Sequence, residues 1–135
     1  MNMEENTLSI GLTGRVEQRV AEAQTAAACG SGGCRVFATP MLVALMEQAC
    51  WQLARKHLPT GQDTVGTRID ISHVAATPVG MHVWCDCELT HLDRRAITFS
   101  VKAYDEAGLI GEGTHERFII DPEKFQAKTD AKKAL

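Results

Sequence analysis

A single run, Thr39 to His57, leaves the rest of the chain few ways to fold. Thr39 suits the N-cap of a helix, because its hydroxyl can accept an orphan N–H of the first turn. Pro40 then fits the first helical position, where its missing N–H costs nothing. Nothing interrupts the run until Leu58-Pro59-Thr60-Gly61, a stop signal. From Met41 to Met46 the residues are apolar all round rather than striped, which implies a helix buried on most sides. At about 18 residues it is roughly 27 Å long, and its far end is too polar for a membrane span. Glu47 is the one charge in the apolar part, and a carboxylate there must be paired, neutralised or functional. The run therefore predicts a central helix wrapped by a sheet, with its one acid kept for chemistry.

The flanking sequence supplies the sheet. Leu8 to Leu12 alternates, and the pattern continues less cleanly to Val20, which predicts a first strand. Residues 21–35 are rich in Ala and Gly and end near Cys29-Gly30-Ser31-Gly32-Gly33-Cys34, so a loop or lid is expected there. Thr64 to His73 alternates with Val65, Ile69, Ile71 and His73 on one face. Met81, Val83, Cys85, Cys87 and Leu89 mark a long strand, Ile97 to Ala103 the next, and Leu109 to Ile120 the last. Residues 123–135 read as a polar tail or a short helix. One strand, a long helix and four strands on short turns make an α+β layout with antiparallel neighbours. An antiparallel sheet wrapped around one long buried helix is the hotdog fold, here a single domain over 1–135. Its helix flank and sheet edge call for a twin subunit, so a homodimer or higher homo-oligomer is expected.

The chain of 135 residues is long enough for one real core. Its net charge of −3 with scattered Lys and Arg argues against nucleic acid as a partner, and no stretch argues for a membrane. Met1-Asn2-Met3-Glu4-Glu5 is acidic where a signal peptide needs positive charge. Five cysteines, an odd number, suit reduced thiols and a cytoplasmic protein. Cys29 and Cys34 could hold a metal or a disulfide, but no second pair completes a zinc site, so no metal is expected. Cys85 and Cys87 look like small core residues. Gly30 to Gly33 is no phosphate loop, since no Gly-Lys-Ser/Thr follows.

Three side chains carry the chemical reading, each with a plainer alternative. Glu47 could be an edge acid paired with Arg or Lys; its flanks Leu45-Met46 and Ala49-Cys50 favour function instead. His73 falls in phase with the apolar face of its strand. A lone inward His is commonly a satisfied core residue, and pairing with a buried acid would change that. Thr39 has a capping role to account for it, yet a helix N-terminus also favours developing negative charge. His115 and Arg117 share a face of the last strand, where a surface or subunit contact is expected.

Val36-Phe37-Ala38-Thr39, Leu45-Met46-Glu47-Gln48-Ala49-Cys50, Gly66-Thr67, Ser72-His73 with Ala75-Ala76-Thr77-Pro78, and Gly113-Thr114-His115-Glu116-Arg117 together resemble the fluoroacetyl-CoA thioesterase family of hotdog proteins. The likeness runs in order from about Val36 to Lys128. It implies a catalytic set of Thr39, Glu47 and His73, with Gly66 beside the acyl group and Arg117 near the site. The expected activity is hydrolysis of a small or short-chain acyl-CoA. His73 would carry the proton, Glu47 act as base or nucleophile, and Thr39 position or attack, with backbone N–H groups near Gly66 for the oxyanion. No cofactor is implied, since coenzyme A arrives with the substrate. The fluoroacyl specialist has an aromatic-rich segment before the Val36 position, whereas Ala21 to Arg35 has no aromatic, so no strong fluoroacetyl preference is expected. The alternatives are a hotdog module that binds acyl-CoA without hydrolysis, and a hotdog hydratase or dehydratase.

Overall fold

The structure, a computed structural model, describes residues 6–135; the acidic start 1–5, read above as no secretion signal, lies outside them. The elements are β1 (Thr13–Arg19), α1 (Ala26–Cys29), α2 (Thr39–Arg55), β2 (Asp63–His73), β3 (His82–Asp93), β4 (Ala96–Asp105), β5 (Gly108–Ile120) and α3 (Pro122–Asp130). The five strands form one antiparallel sheet in the order β1-β3-β4-β5-β2, which leaves β1 and β2 at the edges. Leu42, Leu45, Met46, Ala49, Cys50 and Leu53 of α2 bury against Val83, Cys85, Cys87 and Leu89 of β3 and Ile97, Phe99, Val101 and Ala103 of β4. Every second residue of these strands is inward, as the alternation predicts, and each large one contributes about 1.5–3 kcal/mol by leaving water. The α+β layout of helix and wrapped sheet is the one read from the sequence.

Local departures have physical causes. Ala38, not Thr39, is the N-cap of α2, and it makes no side-chain cap. Thr39 is the first helical residue, and its hydroxyl bonds elsewhere. The helix ends at Arg55, two residues before His57. The first strand begins at Thr13 rather than Leu8; Leu8 and Leu12 pack on the core ahead of it, and Thr7 N–H donates to His57 C=O at 2.8 Å. The Ala- and Gly-rich segment is pinned rather than free. Buried Thr25 caps α1 by accepting from Ala28 N–H at 3.1 Å, Gly30 closes it at φ 79°, and bridges join Thr25 to Phe37 and Val36 to Pro78. The tail folds as α3, capped by Asp121, whose Oδ1 accepts from Glu123 and Lys124 N–H.

The strand alternation fails in β2. Gly66 pairs with Arg117 and Arg68 with Glu116, so Thr67 is an extra residue in a bulge. An added residue reverses the facing of everything before it. Thr64 and Gly66 therefore face the helix side along with Ile69, Ile71 and His73. Val65 turns outward beside Phe118, contrary to the simple alternation.

One side of α2 stays uncovered. Pro40, Ala44 and Gln48 are exposed, and Val43, Glu47 and Trp51 are half-buried. Ile69, on the helix side of edge strand β2, is 39 % exposed. The helix that is apolar all round is thus wrapped by its own sheet on one side only. Among the described residues, no helix is long and apolar enough to cross a membrane.

Candidate active site

Two separate polar clusters form along the α2–β2 pair, one where the helix begins and one at the middle of the helix. At the first, Thr39 begins the helix and His73 ends the strand, and Thr39 Oγ1 lies 2.7 Å from His73 Nδ1. With Nδ1 as acceptor, the threonine hydroxyl donates to a neutral imidazole. Burial lowers the His73 pKa from the usual 6.5 and so favours that neutral form. Nε2 is buried and has no hydrogen-bond partner among the described residues. A hollow of about 300 Å³ opens beside the pair, bounded by Ala26 and Ser31 of the lid segment, Val36 and Val74. The hydroxyl expected to cap the helix is instead paired with the histidine singled out on the strand.

At the second cluster, Glu47 projects from the middle of α2 toward the β2 bulge. Its Oε2 lies 3.4 Å from Arg117 Nη1 and 3.9 Å from His115 Nε2, and the side chain is 45 % exposed. Gly66 makes room for it, since a Cβ there would come within 2.7 Å of Oε2. Glu47 is thus neither a sealed core acid nor a plain edge acid. Its partner is a buried arginine, and its open side faces the uncovered helix surface.

His115 and Arg117 correct the surface expectation: they are 1 % and 6 % exposed and point under the helix. Arg117 donates from Nε to Thr64 Oγ1 at 2.8 Å and from Nη2 to Thr64 C=O at 2.9 Å. His115 Nδ1 donates to Arg68 C=O at 2.8 Å, because a carbonyl can only accept. That fixes the tautomer, leaving Nε2 to accept from Arg117 Nη1 at 3.1 Å. Burial, reinforced against protonation by the Arg117 charge, lowers the His115 pKa. His115 therefore joins the bulge carbonyl to the guanidinium that meets Glu47. The sequence signal was its place two residues before Arg117, on one face of a strand, with Gly111 and Gly113 continuing that face.

The structure joins Thr39 to His73, and Glu47 to Gly66 and Arg117. It does not join the two sets. Thr39 and Glu47 are eight residues apart on one helix, about 12 Å along its axis. Among the described residues, no three His, Cys, Asp or Glu side chains converge as they would on a metal ion. Cys50, Cys85 and Cys87 are buried thiols in the core, and burial pushes Cys85 up to about 12.

The family model for fluoroacetyl-CoA-specific thioesterases matches residues 20–123. A fluoroacetyl-CoA thioesterase from Streptantibioticus cattleyicolor is 43 % identical over 97 residues, covering 72 % of this chain and 70 % of that protein. A solved fluoroacetyl-CoA thioesterase structure superposes with a TM-score of 0.88 at 34 % identity, over 94 % of this chain and 98 % of the other. A Thermus thermophilus protein described as a thioesterase superfamily member superposes with a TM-score of 0.86 at 26 % identity, over 93 % of each chain. A hot-dog-like protein from Thermanaerovibrio acidaminovorans, at 19 % identity, shares the fold with a TM-score of 0.84. The matched span takes in both polar clusters and the bulge between them, and by it the chain belongs to the fluoroacetyl-CoA-specific thioesterase family.

Proposed function

We propose that the protein is an acyl-CoA thioesterase acting on small or short-chain acyl groups, with each site built from two copies of the chain. The observation that carries this reading is the division of the polar residues into a Thr39–His73 pair and a Glu47–Gly66–Arg117 group too far apart to act together in one chain. A two-fold axis brings them together. Antiparallel pairing of edge strand β2 with its twin would bring the His73 end of one copy toward the Gly66 end of the other. That pairing also covers half-exposed Ile69 and brings a second copy toward the uncovered stripe of α2. The free edge and the apolar stripe both support a homodimer.

In such a site the neutral His73 takes the proton from Thr39 or from a water that Thr39 positions. Glu47 acts from the other side as base or nucleophile. N–H groups of the β2 edge near Gly66 hold the thioester oxygen as it gains charge, with the Arg117 guanidinium behind Glu47. The protein needs no cofactor in this scheme, because coenzyme A enters as part of the substrate. The free cysteines fit a reducing, cytoplasmic setting. A panel of acyl-CoAs assayed for released thiol tests the proposal. Turnover of short acyl-CoAs is expected. Loss of an enoyl chromophore without thiol release would point to a hydratase, and tight binding with neither would point to a carrier.

A further inference from the structure

Of the polar side chains buried among the described residues, Thr64, His115 and Arg117 belong to the Glu47 cluster and Thr25 caps α1. Thr77 and Asp105, at 0 % and 5 % exposure, have no part in the chemistry above, and they meet each other. Thr77 Oγ1 donates to Asp105 Oδ2 at 2.7 Å. Asp105 Oδ1 accepts from Ala107 N–H at 2.8 Å and from Gly108 N–H at 3.2 Å, and so also closes the β4–β5 turn. None of the ion pairs among the described residues includes Asp105. Burying a carboxyl group without a cation is costly. An exposed Asp or Asn closes such a turn equally well, so the reason for the burial lies on the Thr77 side.

Thr77 stands between the two halves of the Thr39–His73 pair. From His73 the chain runs through Val74, Ala75 and Ala76, which wall the hollow beside the pair, and then reaches Thr77. Val74 N–H donates to Ile110 C=O at 2.7 Å, which ties the His73 end of this loop to β5. At the other end Thr77 C=O accepts from Phe37 N–H at 2.9 Å, and Val36 bridges Pro78. Phe37 is 1 % exposed and precedes Thr39 by two residues. A ring therefore closes: Thr39 to His73 through side chains, His73 to Thr77 along the loop, and Thr77 back to Phe37 through the backbone. Within that ring the Thr77 side chain is anchored to the sheet at the end of β4. From this geometry we propose that Asp105 and Thr77 are positioning residues, whose hydrogen bond fixes the loop that sets Thr39 Oγ1 2.7 Å from His73 Nδ1. Neither lines the hollow. Asp105 acts through Thr77, and Thr77 acts through Phe37 and the loop. Misplacing a reacting group by about 1 Å costs on the order of 100-fold in rate, which is reason enough to keep a buried acid outside the site. The effect on rate rests on the thioesterase reading; the effect on the Thr39–His73 hydrogen bond does not.

The test compares Thr77→Val, which keeps the shape and removes the hydroxyl, with Thr77→Ser, which keeps the hydroxyl. Assayed with a short acyl-CoA below the melting temperature of each variant, Thr77→Val is expected to lose about tenfold to 100-fold in kcat. Thr77→Ser should stay near wild type. The nitrogen NMR spectrum of the imidazoles reads the hydrogen bond itself. In Thr77→Val the His73 Nδ1 resonance, assigned with His73→Gln, is expected to move toward its position in Thr39→Ala. A lower kcat with an unmoved resonance would make Thr77 a residue of the fold alone and overturn the assignment. An unchanged kcat, or an equal loss in Thr77→Ser, would overturn it as well. Should Thr77→Val fail to fold, the paired Thr77→Val, Asp105→Asn variant removes the buried charge along with the hydroxyl and is held to the same outcomes. If the wild type hydrolyses no acyl-CoA, the thioesterase reading fails by itself. The His73 resonance then still decides the inference: movement in the variant supports it, and an unmoved resonance overturns it.

Discussion

Glu47 has a buried guanidinium on one side and open surface on the other, so its charge can be removed without leaving a cavity. The Glu47→Gln variant is expected to lose turnover and keep its melting temperature, because the amide preserves shape and removes basicity. Full activity in the purified variant would take Glu47 out of the mechanism. His73→Ala should cost about two to four orders of magnitude in kcat, the usual share of general acid–base catalysis. A lower melting temperature with unchanged specific activity would make His73 a core residue only. The sign of the pH response follows from the two lowered imidazoles, His73 and His115. Each binds fewer protons folded than unfolded, so its contribution is complete above the ordinary pKa of 6.5 and is lost as pH falls through the lowered value. Rate and stability should therefore both decline on the acid side, and a gain in stability there would contradict the assigned protonation.

At the scale of elements, two glycines on facing strands serve different ends. A Cβ at Gly66 meets the tip of Glu47, a flexible group that can swing away, so Gly66→Ala should depress kcat while leaving the fold standing. A Cβ at Gly113 would collide with the backbone of Asp70 and Ile71, which cannot move aside, so Gly113→Ala should destabilise by about 1–3 kcal/mol or more. Comparing melting temperature with kcat in the two variants checks both. The sequence pointed to the helix and to strands β3 to β5 because their periods hold over most of their length, the register shifts at Leu89/His91 and Ala103/Tyr104 falling near strand ends. It did not point to the bulge, because an extra residue such as Thr67 leaves no mark on composition and only shifts phase. His115 was read as surface because the contacts that show its depth, Arg68 C=O and the Glu47 carboxylate, come from segments distant in sequence. The lid segment holds Ala26 and Ser31 beside Thr39 and His73, with no aromatic ring to seal a small acyl group from water. A ratio of kcat/KM for fluoroacetyl-CoA over acetyl-CoA near unity is expected. A large ratio would show that selectivity arises without an aromatic lid.

For the whole molecule, the separation of the two clusters gives a test that needs no structure of the assembly. Thr39→Ala and Glu47→Gln are each expected to be inactive as homodimers. Mixed under conditions of exchange, half the dimers pair one variant with the other, and each such dimer carries one intact site and one doubly damaged site. Activity should return to roughly a quarter of wild type if the two-fold arrangement holds. Verified heterodimers without activity would mean that Thr39 and Glu47 do not meet across the axis.

The placement of the five cysteines has a bearing on how such activity is counted. Cys50, Cys85 and Cys87 are sealed between α2 and the sheet, while Cys29 and Cys34 are exposed on the lid segment. The reaction proposed for this enzyme liberates one thiol per turnover. A thiol-trapping reagent will therefore label two positions on each native chain before any product appears, and five once the chain is unfolded. Both labelled positions flank the stretch that borders the Thr39–His73 hollow. The bulky adduct would be attached to the lid itself, so an assay reading free thiol continuously alters the catalyst it is measuring, whereas one quenched before labelling does not.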